Sequence, residues 1–266
     1  MCKQFSSPDF IKLYRSEDEC REFLFNLKWQ EGFKCKRCGH TKFWKGRTRF
    51  NVRCRNCRYD ESALANTLFH KVKIPLVKAF RIVNQFLLTT GDISSPDLAR
   101  QFNINQKTAW YFRRKLQQAI YQEYHLEEQT SSTHELFAVD SVLISSREMG
   151  CNGLQQIFLV KKQSTGSKKN KKVVARSIIP EKGKKVLSEL VKGKFVQINP
   201  SINIWNFKTG FTGTYHHCSG KYVQGYVDEF TFRSNNRQSG KRIWYRFMKL
   251  LIHQTHKNTP EYNLNG

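Results

Sequence analysis

Two cysteine pairs, each with the spacing Cys-x-x-Cys, constrain the fold of this chain more than any other feature. Cys35 and Cys38 form the first pair, and Cys54 and Cys57 form the second. Each pair can bring two thiolates to the zinc–sulfur distance of about 2.3 Å, and two pairs complete a tetrahedron. Because four sulfur ligands leave no position for water, the spacing predicts a structural zinc ion that organises a small ribbon.

Disulfide pairing of the same cysteines is the alternative. The other four cysteines are scattered along the chain, and the opening segment MCKQFSSPDF lacks the apolar core of a secretory signal. No run reaches the ~18 apolar residues of a membrane helix, so we expect no membrane partner. A reducing compartment inside a cell therefore fits the sequence, and it favours metal over disulfides.

Positive charge is the abnormal feature of the composition. The chain has 46 Lys and Arg against 21 Asp and Glu, a net charge of +25, which predicts a polyanionic partner such as nucleic acid. Residues 34–58 hold ten basic residues and no acidic one. We expect four arginines to contact DNA phosphates while nearby aromatic side chains pack the thin core of the ribbon; the alternative is that these bases only neutralise the zinc–thiolate cluster. The arginines are Arg47, Arg49, Arg53 and Arg55, and the aromatics are Phe43, Trp44 and Phe50.

Helical patterns surround the ribbon. Ser16 followed by Glu19 predicts a capped helix over residues 17–28, and Pro75 precedes an apolar pattern that predicts a second helix to about Leu88. The segments SSPDLARQF and INQKTAWYFRRKLQQAI then predict two helices around a turn at residues 103–105.

This helix pair fits a helix-turn-helix, although a purely structural hairpin has the same pattern. The second helix begins after Asn105, a good capping residue. Its first residues are of the types that reach base edges and phosphates, and two later arginines would add charge towards the DNA backbone. The predicted DNA contacts are Gln106, Lys107, Thr108, Arg113 and Arg114.

The second half of the chain reads as an α/β layer, because HELFAVDSVLI, LQQIFLV and KKVVARSII predict strands. The predicted fold class is therefore α+β and multi-domain, ending in a shortened α/β domain. The predicted parts are an N-terminal helical segment (1–32), a zinc ribbon (33–61), the helical region (62–124), a linker (125–134), the α/β domain (135–250) and a tail (251–266).

The order of these motifs resembles the ISXO-like insertion-sequence transposases, a group related to Merlin elements. The segments that carry the resemblance are LKW with the cysteine pairs, TLFHKVKIPLVKAF, LARQFNINQKTAW, AVDSVLI, and IWNFKTGFTGTYHHCSGKYVQGYVDEFTFRSNNR. The resemblance implies an RNase H-like catalytic domain that cuts and joins transposon ends with magnesium. It also implies double-stranded terminal repeats as the partner, a homodimer on DNA, and a location in the cytoplasm with the nucleoid of a bacterium or in the nucleus of a eukaryote.

The catalytic residues that the resemblance implies form an incomplete set. Asp140 corresponds to the first acidic ligand, Asn206 to a third ligand, and Lys208 beside it to a phosphate contact. Asp140 could instead be an ordinary strand residue, and Asn206 a turn or capping residue. Residues 141–227 contain no aspartate, and their glutamates are Glu148, Glu181 and Glu189.

A two-metal site that lacks one ligand should lose orders of magnitude in rate. We therefore expect a DNA-binding protein with impaired strand cleavage and transfer. The alternatives are a non-catalytic relic or regulator of transposition, and an RNA-binding ribbon protein. Asp228 and Glu229 could substitute as ligands, but the sequence favours a structural or ion-paired role for them.

Overall fold

The computed structural model describes residues 7–88, 93–130, 134–144, 155–164, 173–178, 202–215, 218–236 and 241–253. The chain divides into two units. The first comprises Met1–Leu88, Ala99–Thr108 and Ser239–Gly266, and the second comprises Thr89–Leu98 and Ala109–Gln238. The fold is α+β, because helices accompany two small sheets.

Four helices of the first unit are α1 (Ser7–Leu13), α2 (Glu17–Lys28), α3 (Leu76–Leu88) and a late helix, α8 (Lys241–His253). The predicted capping box is confirmed: the hydroxyl of Ser16 accepts from the Glu19 N–H at 3.2 Å, and the Glu19 carboxylate accepts from the Ser16 N–H at 2.8 Å. The predicted helix over residues 17–28 and the helix ending at Leu88 are confirmed with these bounds.

Helix α8 packs with α2 and α3 in the core of the first unit. The indole of Trp244 is buried, and its N–H donates to the Tyr14 hydroxyl at 3.1 Å. The ring of Phe247 stacks on that of Phe86, with 5.7 Å between the ring centres. This position corrects two predicted boundaries, the end of the α/β domain at residue 250 and the start of a tail at 251. The apolar face of the helix, Ile243 to Ile252, requires a partner that the N-terminal helices supply.

The ribbon sheet is antiparallel with the order β1 (Phe43–Lys45), β2 (Asn51–Cys54), β3 (Asp60–Ser62). Val52 and Cys54 are buried, while Phe33 and Cys35 complete the small core on the same side. Alternation of side chains along β2 therefore gives the sheet one buried face and one outer face.

Two helices, α4 (Ser95–Phe102) and α5 (Gln106–Thr130), follow α3, and each has residues in both units. They are separated by residues 103–105, as predicted, and the Asn105 side chain accepts from the Lys107 N–H at 2.8 Å. Helix α5 continues to Thr130, so most of the predicted linker over residues 125–134 is helical, and His134 begins a strand. The segment HLEEQ is rich in residues of good helix propensity, which explains the extension.

The second sheet is an antiparallel meander with the order β4 (His134–Ile144), β5 (Gln155–Ser164), β6 (Val173–Ile178). The three predicted strands are confirmed, but they are consecutive and antiparallel, so the described part of this unit is not a layer of alternating strands and helices. Helices α6 (Ile202–Thr214) and α7 (Gly220–Asn236) follow, and α7 lies beside β6. None of the described helices is long and apolar enough to cross a membrane.

Candidate metal centre and nucleic-acid-binding elements

The four predicted zinc ligands converge at one point of the ribbon. The Sγ atoms of Cys35 and Cys57 are 3.5 Å apart, those of Cys38 and Cys54 are 3.6 Å apart, and all four lie within 4.8 Å of one another. A tetrahedral zinc ion with sulfur ligands at about 2.3 Å requires Sγ–Sγ distances near 3.8 Å. The four thiols therefore fit a structural zinc ion.

Two equivalent turns position the sulfur atoms. The N–H groups of Cys35 and Cys54 both donate to the carbonyl five residues later, at 2.9 Å in each turn. The carbonyls of the same cysteines accept from Gly39 and Arg58, which both have positive φ angles, +73° and +56°. Gly39 adopts this left-handed conformation without strain, whereas Arg58 carries a Cβ there. The repeated turn is the local reason that each Cys-x-x-Cys directs both thiols to one side.

Electrostatics at the cluster favours a cation. The backbone N–H of His40 lowers the pKa of Cys38 to about 6. The N–H of Tyr59 also lowers the pKa of Cys57, but desolvation and the neighbouring thiols outweigh it and raise the pKa to about 12. Without metal the cluster therefore cannot carry four thiolates near neutral pH, and zinc binding has to release protons.

The ribbon arginines differ in what they contact. Arg47 lies 3.8 Å from Asp60, and Arg49 lies 3.7 Å from Asp18 and from Glu22 on α2. The Arg55 Nε donates to the Phe43 carbonyl at 3.1 Å. The ion pairs of Arg49 are exposed and that of Arg47 joins an exposed guanidinium to a half-buried Asp60, so both arginines can exchange these partners for phosphates.

The aromatic side chains of β1 do not all pack the core as predicted. The ring centres of Phe43 and Phe33 are 5.3 Å apart, but Phe43 stays partly exposed. Trp44 is 49% exposed on the other face of the strand. A three-residue strand directs neighbouring side chains to opposite faces, so both rings cannot enter one core.

Arg113 is buried in the second unit, which contradicts its predicted contact with the DNA backbone. Its side chain is 2% exposed, and its guanidinium donates to the Glu229 carboxylate at 2.9–3.1 Å and to the Ile93 carbonyl. Gln117 donates to the same carboxylate at 2.7 Å, and Arg233 lies 3.5 Å from it. Burial alone would lower the pKa of Arg113, but Glu229 raises it, so the guanidinium stays charged.

Arg114 is held by three aromatic rings, a contact that the sequence did not reveal. Its guanidinium lies 4.5 Å from the ring centres of Tyr222 and Tyr226 and 5.4 Å from that of Trp110. It also donates to the Tyr222 carbonyl at 3.3 Å. Trp110, four residues earlier on α5, is the one local signal for this arrangement.

The remaining predicted site residues lie on three elements. Gln106 and Lys107 are exposed in the first turn of α5, and Thr108 is half-buried. Asp140 lies in the middle of β4, where its backbone pairs with Leu159 of β5. On α6, Asn206 is exposed and Lys208 is half-buried, and residues two apart on a helix face different directions.

Two family models match the chain. The model of a transposase zinc-ribbon domain matches residues 15–60, which contain α2 and the four cysteines, and the model of an ISXO2-like transposase domain matches residues 188–235, which contain α6 and most of α7. No curated protein and no solved structure gives a significant match. Both matched models describe transposase domains and stand in the order that the sequence motifs predict, so the two matches support an IS1595-family transposase with an N-terminal zinc ribbon.

Proposed function

We propose that this protein binds the double-stranded terminal repeats of an insertion sequence, through the zinc ribbon and the α4–α5 helix pair acting as a helix-turn-helix. The observation that carries this proposal is the match of residues 15–60 to a transposase zinc ribbon, in a chain with a net charge of +25. The exposed Gln106 and Lys107 in the first turn of α5 support a role in reading bases and phosphates. Because transposition joins two transposon ends, we propose that a homodimer holds them.

Catalysis is the impaired part of the proposed function. Asp140 on β4 would supply one ligand to magnesium, Asn206 would supply another, and Lys208 would contact a phosphate. Magnesium ions, when bound, would activate the attacking and the leaving oxygen. The absence of any aspartate from residues 141–227 leaves this ligand set short of one acid, which supports weak or absent strand cleavage.

DNA binding is tested with a duplex made from the DNA that flanks the gene. We expect Lys107→Ala to weaken binding and to reduce the salt slope by about one, because one phosphate contact is lost. Lys12→Ala removes the same charge from the exposed side of α1 and should leave both quantities unchanged. Equal affinity of the zinc-loaded protein for this duplex and a scrambled one, or tighter binding to RNA, would contradict recognition of terminal repeats.

Cleavage is tested separately on the same duplex with magnesium. We expect the rate of nicking to be orders of magnitude below the rate that a complete two-metal site supports. Robust nicking that Asp140→Ala abolishes would show that another acid completes the site. Unchanged residual nicking in Asp140→Ala would identify it as contamination and favour a purely binding relic or regulator.

A further inference from the structure

The outer face of the ribbon sheet carries an aromatic ring between two arginines. In the register of β1 and β2, Trp44 lies directly opposite Arg53, and directly opposed residues share a face. Val52 and Cys54 occupy the other face, which is buried. Trp44 and Arg53 therefore point away from the zinc core.

Arg55 completes this surface from the end of β2. Its guanidinium lies 5.7 Å from the ring centre of Trp44, and its Nε is fixed by the Phe43 carbonyl at 3.1 Å. Trp44 is 49% exposed, and the Arg55 guanidinium lies over its ring. We call Trp44, Arg53 and Arg55 the ribbon platform.

The charge around the ribbon platform selects the kind of partner. Residues 34–58 contain ten basic residues and no acid. Asp60 on β3 lies opposite Arg53 in the sheet, and its carboxylate is 3.8 Å from Arg47. One acidic residue does not offset these ten basic residues, so this part of the ribbon attracts an anion. Nucleic acids combine negative charge with flat aromatic groups, and they therefore match both features of the ribbon platform.

We propose that the ribbon platform binds single-stranded DNA by stacking an unpaired base on Trp44, with Arg53 and Arg55 on the adjacent phosphates. This proposal rests on the proposed DNA-binding function and deepens it. In the interior of a duplex both faces of each base are covered by neighbours, so an exposed indole can stack only on a base that has left the helix or on the last pair of a cut end. Such bases occur where a transposon end is melted or cut, which gives the ribbon a task that the α4–α5 pair does not have.

Binding of a fluorescein-labelled single strand of twelve thymidines to the zinc-loaded full chain tests the proposal. We expect Trp44→Ala to weaken binding about 5- to 100-fold, because stacking on one base is lost. Trp44→Phe, which keeps a ring, should retain most of the affinity. Tyr245→Ala is the matched control, because Tyr245 is equally exposed, at 49%, on α8 outside the ribbon. Zinc content and circular dichroism establish that each variant folds.

The outcomes separate this proposal from the proposed function. Tight duplex binding by the wild type with no loss of single-strand affinity in Trp44→Ala would overturn the ribbon platform and leave the proposed function standing. Absence of both duplex and single-strand binding would overturn both. If Trp44→Ala loses more affinity for uridine strands than for thymidine strands, the choice of DNA as the partner is overturned. If Trp44→Ala loses self-association but keeps its single-strand affinity, Trp44 belongs to a protein contact.

Discussion

Replacing Glu229 by glutamine removes the carboxylate that holds the buried guanidinium of Arg113. In the wild type this carboxylate accepts three hydrogen bonds from Arg113 within 3.1 Å and one from Gln117, and Arg113 is 2% exposed. Glutamine has a similar shape, but it leaves a full positive charge without a countercharge at the same place. Breaking a buried ion pair from one side costs about 3–5 kcal/mol, so we expect Glu229→Gln to lower the free energy of unfolding by that amount.

Urea unfolding followed by circular dichroism measures this loss. Glu22→Gln is the matched control, because Glu22 pairs with Arg49 at 3.7 Å on the surface, and such a pair contributes at most about 1 kcal/mol. The double variant Arg113→Met with Glu229→Leu should recover only part of the loss. It removes both charges of the pair, but it also takes the carboxylate away from Arg233, which lies 3.5 Å from it, and from Gln117. A loss below about 1 kcal/mol in Glu229→Gln, or no recovery in the double variant, would refute the assignment of a buried ion pair.

Two further predictions concern the first unit. Trp244→Ala should lower the free energy of unfolding by about 3–5 kcal/mol, because a buried indole and its hydrogen bond to Tyr14 are lost; a loss under about 1 kcal/mol in urea unfolding would place α8 outside the core. At pH 7.5, iodoacetamide should modify Cys38 only after a chelator removes zinc, because the metal holds the sulfur in the loaded protein and Cys38 is an exposed free thiol without it. Cys218 in the second unit should resist throughout, since burial raises its pKa to about 11; mass spectrometry that finds labelled Cys38 in the zinc-loaded protein would contradict the zinc site.

The zinc ribbon was predictable because its signal is local. The spacing of the two Cys-x-x-Cys pairs fixes which atoms can meet, and the structure brings those atoms together. The capping box at Ser16 and Glu19 is equally local, and the helix begins where it predicts. The separation of α4 from α5 followed from the same kind of short-range pattern.

The errors at Arg113 and in the ribbon concern contacts between residues of different elements, whereas the linker predicted over residues 125–134 was wrong because local helix propensity extends α5 to Thr130. Arg113 and Glu229 are 116 residues apart, and a basic residue on a helix in a basic chain suggests a surface position. Residues 241–253 were not predicted as a helix of the N-terminal core, because the apolar pattern of one helix does not say which helices cover it. In the ribbon, the strand register decides that Trp44 faces outward, and composition alone carries no register.

The return of α8 to the N-terminal helices has a consequence for biosynthesis. The hydrogen bond between Trp244 and Tyr14 spans 230 residues, so the first unit cannot close its core until α8 has left the ribosome. During that interval Phe80 and Phe86 lack the side chains that later cover them. The growing chain therefore exposes an apolar surface for many seconds at ordinary translation rates, and this surface favours binding by chaperones until α8 has been made.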